Sequence, residues 1–363
     1  MKIDSCLIIK NEEENIIPLI EQLLMFSHEI HITDTGSTDR TLEILLEYSS
    51  KYDNVFVHYY TWNFNFSDAR NYSLTCYDCS ADYQFWCDGD DTLNDILIQS
   101  LKEFSESDDK TDDVYYVRYQ YYDGDPNPHW RTSILKANSN LKWHDPIHEY
   151  IQIFTNHNLN YEVFNNGSLI LHHKKVSHNS RNLDIFFNME KTNWNFNSRN
   201  RYYYGQELQN HGLTEYAIVQ FHKCIDTEDS NFVDPINSCI KLYFCDDPAF
   251  IDYFFKLLKK NKMRKDLLYY VGDYYFFKEK NNDLAKVYYL MCTNYPDPKL
   301  ENDFLYDYRC QLNAYLQLNV IEWQMGNIDK SLEYNQLVLE IDPNNQTAIG
   351  NIDIIKSRLS NTK

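Results

Sequence analysis

The sequence predicts two domains of different class: an α/β domain on a Rossmann-like mixed sheet over residues 1–180, then an all-α helical-repeat domain over 181–363. Three observations predict this. Strand and helix signals alternate through residues 1–100, strands with little helix fill residues 114–175, and helical patterns alone run from there to the end. A chain of 363 residues is also too long for one small domain and fits about two.

"SCLIIK" (5–10) has the apolar continuity of a short buried strand. "NEEENIIPLIEQLLMF" (11–26) predicts a helix with acidic residues in its first turn, where the dipole favours them. "EIHITD" (29–34) is the next strand. In "GSTDRTLEILLEYSSKY", Ser37 or Thr38 is placed to cap a helix whose apolar residues recur at three and four. "VFVHYY" (55–60) reads as a third strand, "FSDARNYSLTCY" as a helix start, and "YQFWCD" (83–88) as a fourth strand. Such alternation means βαβ units and a parallel sheet. "DVYYVRYQYY", "RTSILKAN", "HEYIQIF" and "GSLILHHK" then extend it as a mixed sheet, with "DGDPNPHW" (123–130) as a proline- and glycine-bearing turn.

Three stretches of the helical part fit one helix–turn–helix template of the tetratricopeptide kind. In "RYYYGQELQNHGLTEYAIVQFHKCID", Gly205, Gly212, Ala217, Phe221 and Cys224 take the small and aromatic positions. "LLYYVGDYYFFKEKNNDLAKVYYLMCTNYP" places Ala285, Tyr289 and Cys292 in register with Ala217, Phe221 and Cys224, about two 34-residue periods on. "AYLQLNVIEWQMGNIDKSLEYNQLVLEIDP" matches at Gly326, Ser331 and Pro343, and residues 231–262 leave room for a degenerate unit.

Composition narrows the function classes. The 43% hydrophobic share supplies a core, while a formal charge of −20 excludes a surface that tracks nucleic-acid phosphates. "LLKKNKMRK" (257–265) is short and helical, a solvated face rather than a binding stripe. The opening "MKIDSCLIIK" is a strand pattern, not a leader peptide, and no window offers the ~18–20 apolar residues of a membrane span. Nine scattered cysteines fit a soluble, cytoplasmic protein with reduced thiols, and "CYDC" (Cys76, Cys79) lacks the second pair that a structural zinc wants.

The chemistry concentrates in "YQFWCDGDDTLND" (83–95), where Asp88, Asp90 and Asp91 crowd the end of the fourth strand. Ligands of open α/β sheets bind beyond such ends. In an extended segment Asp88 and Asp90 project to one side, and Gly89 lets the backbone approach closely. Oxygen-only ligands of high negative charge suit Mg²⁺ or Mn²⁺, which would bridge to the phosphates of a nucleotide. The alternative is a solvated acidic turn that caps the helix beginning "TLNDILIQ".

"TDTGSTDRT" (33–41) sets Asp34 at another strand tip, either accepting from a base N–H or capping its own turn. "FSDARNYSL" (66–74) puts Arg70 and Asn71 at a helix start between the two acidic sites. Taken in order with "SCLIIKNEEENI", these segments resemble the family 2 glycosyltransferases, which have the GT-A nucleotide-sugar fold. The resemblance covers about residues 3–175 and is carried by Ile8-Ile9-Lys10-Asn11-Glu12, "DTGSTDRT", "SDARN" and "DGDD". It implies that Asp34 holds uracil or another base, that Lys10, Glu12 and Arg70 contact the nucleotide, that Asp88 touches ribose or metal, and that Asp90 is the principal metal ligand.

"NLKWHDPIHEYI" (140–151) looks like the Trp…His-Glu segment found in the subgroup of these transferases that carries tetratricopeptide tails. An inverting transferase needs a group to take the acceptor's proton. Glu149 is the first candidate, then His148, then Asp145; read as a strand, His148 and Glu149 point to opposite faces. By the same resemblance, His172 or His173 at the end of "SLILHHKK" adds a metal or phosphate ligand, and Arg131 binds acceptor or pyrophosphate. The implied reaction moves a sugar from a UDP-hexose or UDP-N-acetylhexosamine, with Mn²⁺ or Mg²⁺, to a hydroxyl or thiol. The acceptor is a glycan, peptide or protein held by the repeats, which also offer a surface for a homodimer. Two rivals differ in kind. A nucleotidyltransferase or phosphohydrolase would show a glycine-rich basic loop where "IIKNEEEN" stands, and a non-catalytic scaffold would have no need of Asp88 and Asp90.

Overall fold

The computed structural model describes residues 1–107, 110–121, 129–139, 141–152, 161–163, 167–173, 180–296 and 309–361. Its contacts divide the chain into two units, Met1–Trp194 and Asn195–Lys363.

In the first unit, β1 (Ile3–Ile9) is buried along its whole length, as a strand covered on both faces must be. α1 (Ile16–Leu23), β2 (Ile30–Asp34), α2 (Thr41–Lys51), β3 (Val55–Tyr59), α3 (Phe66–Thr75) and β4 (Tyr83–Trp86) follow. The short β5 (Asp91–Leu93) precedes α4 (Asp95–Glu106), and then come β6 (Val114–Tyr121), β7 (His129–Lys136), β8 (Lys142–His144), β9 (Tyr150–Gln152), β10 (Tyr161–Val163), β11 (Leu169–His172) and α5 (Arg181–Lys191). The main sheet runs β3-β2-β1-β4-β7-β6-β11-β5, with β10 also on β6, while β8 and β9 form a separate pair. β1 to β4 are mutually parallel, and β7 and β5 enter antiparallel. This is a mixed sheet. Its order reverses between β1 and β4, so the crevice at their carboxyl ends is the expected ligand position.

Side-chain alternation sorts the two faces. Leu7, Ile9, Ile30, Ile32 and Phe85 pack with Leu19 and Ile20 of α1, Leu45 of α2 and Leu97 and Leu101 of α4. Cys6, Trp86 and Leu135 pack on the other face with Leu74 of α3 and Trp143 of β8.

Several sequence expectations shift. α1 begins at Ile16, not Asn11, and no acid lies in its first turn. Pro18 is the reason: in the first turn its missing N–H costs nothing, whereas deeper in a helix it would break a bond. Neither Ser37 nor Thr38 caps α2, which starts at Thr41 without a side-chain cap. β4 stops at Trp86, so Asp88–Asp90 is a turn, closed by the Asp91 N–H on the Asp88 carbonyl at 3.2 Å, and not an extended segment. Residues 145–149 are a bend between β8 and β9, with Asp145 and His148 at φ 69° and 54° around Pro146. His148 and Glu149 are therefore not strand neighbours. Most of the "DGDPNPHW" turn, the end of "HEYIQIF" and Lys174–Lys175 lie outside the described residues.

The second unit is helical throughout its described residues. α6 (Ser198–Asn210) packs on α7 (Thr214–Asp226), α8 (Val233–Phe244) on α9 (Phe250–Lys259), and α10 (Lys265–Asp273) on α11 (Asn282–Asn294). α12 (Cys310–Gln324) then packs on α13 (Ile328–Ile341), and α13 on α14 (Gln346–Asn361). Gly205 lies against the Phe221 ring and Gly272 against the Tyr289 ring, so closely that a Cβ at either glycine would overlap the ring. The second glycine-to-aromatic spacing is one residue longer, and a wide π-helical turn at Tyr274–Lys278 takes up that residue. Among the described residues no helix is long and apolar enough to cross a membrane. None of the nine cysteines forms a disulfide, all nine being among the described residues.

Candidate active site

Two loops meet at the carboxyl ends of β1 and β2. Asn11, at φ 57°, accepts from the Thr38 N–H through Oδ1 at 2.7 Å, and its own N–H donates to Ser37 Oγ at 3.0 Å. The Glu12 N–H donates to Thr41 Oγ1 at 2.7 Å, and Glu13 accepts from the Arg40 N–H at 2.8 Å. Ser37 and Thr41 are thus spent on the first loop, which explains the missing cap on α2. Asp34 is buried, and its carboxylate accepts from the N–H groups of Gly36 and Ser37 at 3.1 Å. Gly36 holds φ at 102°, which favours glycine. The Glu12 carboxylate accepts from Asn15 Nδ2 at 2.7 Å, and Lys10 is exposed at the end of β1. Gly89 abuts this loop, since a Cβ there would lie 3.1 Å from Ile9 and 3.3 Å from Glu12. The first loop and the acidic turn therefore touch.

The acidic turn is organised by Asp91, which is fully buried. Its Oδ2 accepts from the Asp88 N–H at 2.8 Å, and its Oδ1 accepts from the Tyr119 hydroxyl at 3.0 Å and from His172 Nδ1 at 2.9 Å. Burial pushes the Asp91 carboxyl up, against the hydrogen bond from His172. β11 runs antiparallel to β5 with His172 opposite Asp91, and this register brings His172 Nδ1 to 3.3 Å from Asp90 Oδ1 as well. Burial disfavours the charged imidazole, but hydrogen bonds to Asp90 and Asp91 outweigh it and raise His172 to about 10. Asp88, Asp90, Asp91 and His172 each offer one ligand atom, all within 4.8 Å of one another. His173 is outside this group: its Nε2 pairs with Thr92 Oγ1 at 2.7 Å, and its N–H donates to the Asp90 carbonyl.

Asp88 divides its two oxygens between two arginines. Arg70 Nη2 donates to Oδ1 at 3.3 Å, and Arg131 Nη2 donates to Oδ2 at 2.8 Å. Burial alone would raise the Asp88 carboxyl, yet Arg131 and then Arg70 hold it well below the usual carboxylate range. Arg70 also donates from Nε to Glu149 Oε1 at 2.6 Å, and its Nη2 forms an ion pair with the same oxygen at 2.6 Å. Both guanidiniums lie on the Trp86 indole, Arg70 at 3.8 Å and Arg131 at 4.2 Å from the ring centre. Trp143 closes on Arg70 at 5.2 Å, and Tyr119 on Arg131 at 4.4 Å. The Pro146 carbonyl accepts from the Phe66 N–H at 2.8 Å, which ties the 145–149 bend to the start of α3. Asp145 is buried in that bend, and His148 lies beside Phe186, ring centres 6.4 Å apart.

Of the sequence candidates, the structure joins Asp88, Asp90 and His172 in one cluster and links Arg70, Arg131 and Glu149 to it through Asp88. It sets Asp34, Lys10 and Glu12 on the adjoining loops and turns His173 toward Thr92. Trp86, Tyr119 and the buried role of Asp91 were missed. Trp86 had a signal, because a residue two before Asp88 shares its side of an extended chain. Tyr119 had none, because only sheet register brings it to Asp91.

The donor set fits a hard divalent cation: three carboxylates, Asp88, Asp90 and Asp91, converge with the His172 imidazole, and a cation there would take the place of the proton that Asp90 and Asp91 otherwise hold on His172.

The model of the family described as Glycosyl transferase family 2 matches residues 5–169. Comparison with curated proteins finds no match. Among solved structures, the chain is similar to S. aureus TarS 1-349 in complex with UDP-GlcNAc, at 13% identity over 100% of this chain and 93% of that one, with a TM-score of 0.40. Another S. aureus TarS chain is 13% identical over 79% of this chain and 55% of that one, TM-score 0.41, so this chain spans about half its length. YrrB, titled a TPR protein with an unusual peptide-binding site, is 18% identical over 48% of this chain and 84% of that one, TM-score 0.34. By the family match, Ser5–Leu169 is a glycosyl transferase family 2 domain.

Proposed function

We propose that this glycosyltransferase is metal-dependent and inverting, moving a hexose or N-acetylhexosamine from a UDP-sugar to a hydroxyl or thiol acceptor. The observation that carries this reading is the convergence of Asp88, Asp90, Asp91 and His172 at the crevice between β1 and β4, with an arginine pair on its edge. Asp90 would be the principal ligand of Mn²⁺ or Mg²⁺, with Asp88, Asp91 and His172 around it. When bound, the cation supplies charge neutralisation for the departing diphosphate.

The chain's own groups do the rest. Asp34 and the Lys10–Glu12 loop receive the nucleotide at the carboxyl ends of β1 and β2. Glu149 is the base. Arg70 holds its Oε1, while Oε2 has no hydrogen-bond partner among the described residues and is left to take the acceptor's proton. A single in-line displacement then inverts the anomeric centre. The paired helices of the second unit, with small residues at their crossings, support a tetratricopeptide-like surface for a peptide, protein or glycan acceptor, or for a second copy of the chain.

Hydrolysis and transfer assays over a panel of nucleotide sugars, with and without Mn²⁺, test the reading. Metal-dependent turnover of one UDP-sugar is expected. No turnover of any donor, together with no metal-dependent rise in melting temperature, would replace the enzyme with a binding scaffold.

A further inference from the structure

Trp86 meets the candidate site through two arginines, Arg70 and Arg131. It is 1% exposed, sits on the last residue of β4, and packs against Trp143 at 4.9 Å between ring centres. Its indole carries both guanidiniums, and these are the two that share Asp88, one on each carboxylate oxygen. Arg70 goes on to Glu149. A cationic group over an indole face is attracted by the ring's electron density, most strongly where water is excluded. Burying two arginines against one ring also brings two positive charges near each other, and the electron-rich indole relieves part of that repulsion. An aliphatic residue would fill the space and leave the planes of both guanidiniums unfixed.

We propose that Trp86 is a positioning residue: through Arg70 and Arg131 it fixes Asp88 on the donor side and Glu149 on the acceptor side in one rigid arrangement. This rests on the transferase reading above for its kinetic consequence, but not for its structural one. The chain of contacts is Glu149–Arg70–Asp88–Arg131, with Trp86 against both arginines, and each link is a charge-assisted hydrogen bond or a cation–π contact. Loosening the indole lets the two arginines rotate independently. Asp88 and Glu149 then lose their common reference, although neither residue has changed.

The test compares Trp86→Leu with Trp86→Phe in the full chain. The first readout needs no activity. With nitrogen-15 arginine labelling, the Arg70 Nε–H, bonded to Glu149, should give a slowly exchanging signal in the parent and in Trp86→Phe, and a broadened or absent one in Trp86→Leu. The second is kinetic. Trp86→Leu should lose about 100-fold in kcat, as a modest misplacement of reacting groups does, with donor KM moved less than threefold, and Trp86→Phe should recover at least tenfold of that loss. If Trp86→Leu does not fold, the cycle of Trp86→Phe with Arg131→Gln decides. The pair should be clearly less than additive in kcat if the ring acts through the arginine.

A Trp86→Leu protein with a persistent Arg70 signal and unchanged kcat overturns the proposal, as do equal losses in the Leu and Phe variants or an additive cycle. Absence of turnover in the parent protein would instead sink the transferase reading, and the arginine signal would still decide whether Trp86 positions the pair.

Discussion

Arg70 brings two nitrogens to the same oxygen of Glu149, Nε as a hydrogen-bond donor and Nη2 as an ion-pair partner, each at 2.6 Å. The pairing orients one carboxylate oxygen, as the base proposed above requires. The arginine also reaches Asp88, so one side chain serves both ends of the site.

Glu149→Gln keeps the shape and a hydrogen bond to Arg70 but removes the proton acceptor. Transfer should fall by about 10²–10⁴-fold, the usual range for losing a general base, while UDP affinity in Mn²⁺ stays within threefold. Steady-state rates beside calorimetric UDP titration check this. Normal rates would move the base to His148 or Asp145.

Asp90→Asn removes a carboxylate whose only side-chain partner among the described residues is His172. The fold should survive, and the melting temperature should no longer rise with added Mn²⁺. In the parent protein, saturating metal at a hundred times its dissociation constant contributes about 2.7 kcal/mol. A variant that still shows the full rise would contradict the ligand assignment.

Gly272→Ala drives a Cβ to 2.6 Å from the Tyr289 ring and should cost about 1–3 kcal/mol by overpacking. Gly350→Ala, in α14 with nothing within 4 Å, should instead add about 0.5–1 kcal/mol through lower backbone entropy. Denaturant melts of the two variants should therefore shift in opposite directions. Shifts of the same sign would mean that the close approach at Gly272 is not what limits the substitution.

His31 and His58 make stability depend on pH. Burial holds His31 below its ordinary value of 6.5 against the pull of Glu29, with His58 adding to the lowering, and burial does the same to His58. His31 Nδ1 and His58 Nε2 are 3.0 Å apart, a contact that two charged rings could not keep. Both shifts are downward, so the unfolded chain binds more protons below pH 6.5. Stability is therefore complete above that value and declines as pH falls toward the folded-state values. The melting temperature of the parent should drop more between about pH 7.5 and pH 5.5 than that of His31→Gln. Equal drops would show that other groups dominate.

Much of the first unit was legible because its strands are continuous apolar runs and its helices are amphipathic, signals that local sequence carries. Asn65, whose Oδ1 accepts from the Asp68 N–H, and Asn94, which accepts from the Leu97 N–H, set the starts of α3 and α4 by local capping. Where a local signal competed with a distant partner, the distant partner prevailed. Ser37 looked like a cap and became an acceptor for Asn11; the acids after Lys10 looked like a first turn and became a loop laced to the one that follows β2.

By itself the sequence determined the order of the longer strands and the helices, the acidic cluster after β4, and the pairing of small with aromatic residues along the helical half. Tertiary structure alone decided which charge meets which. Arg70 and Glu149 are 79 residues apart, and Asp91 and His172 are 81 apart. Those meetings follow from sheet register and from the seating of the 145–149 bend on α3, and no local periodicity encodes either. The energy of a buried charge depends on partners within a few ångströms, whatever their distance along the chain.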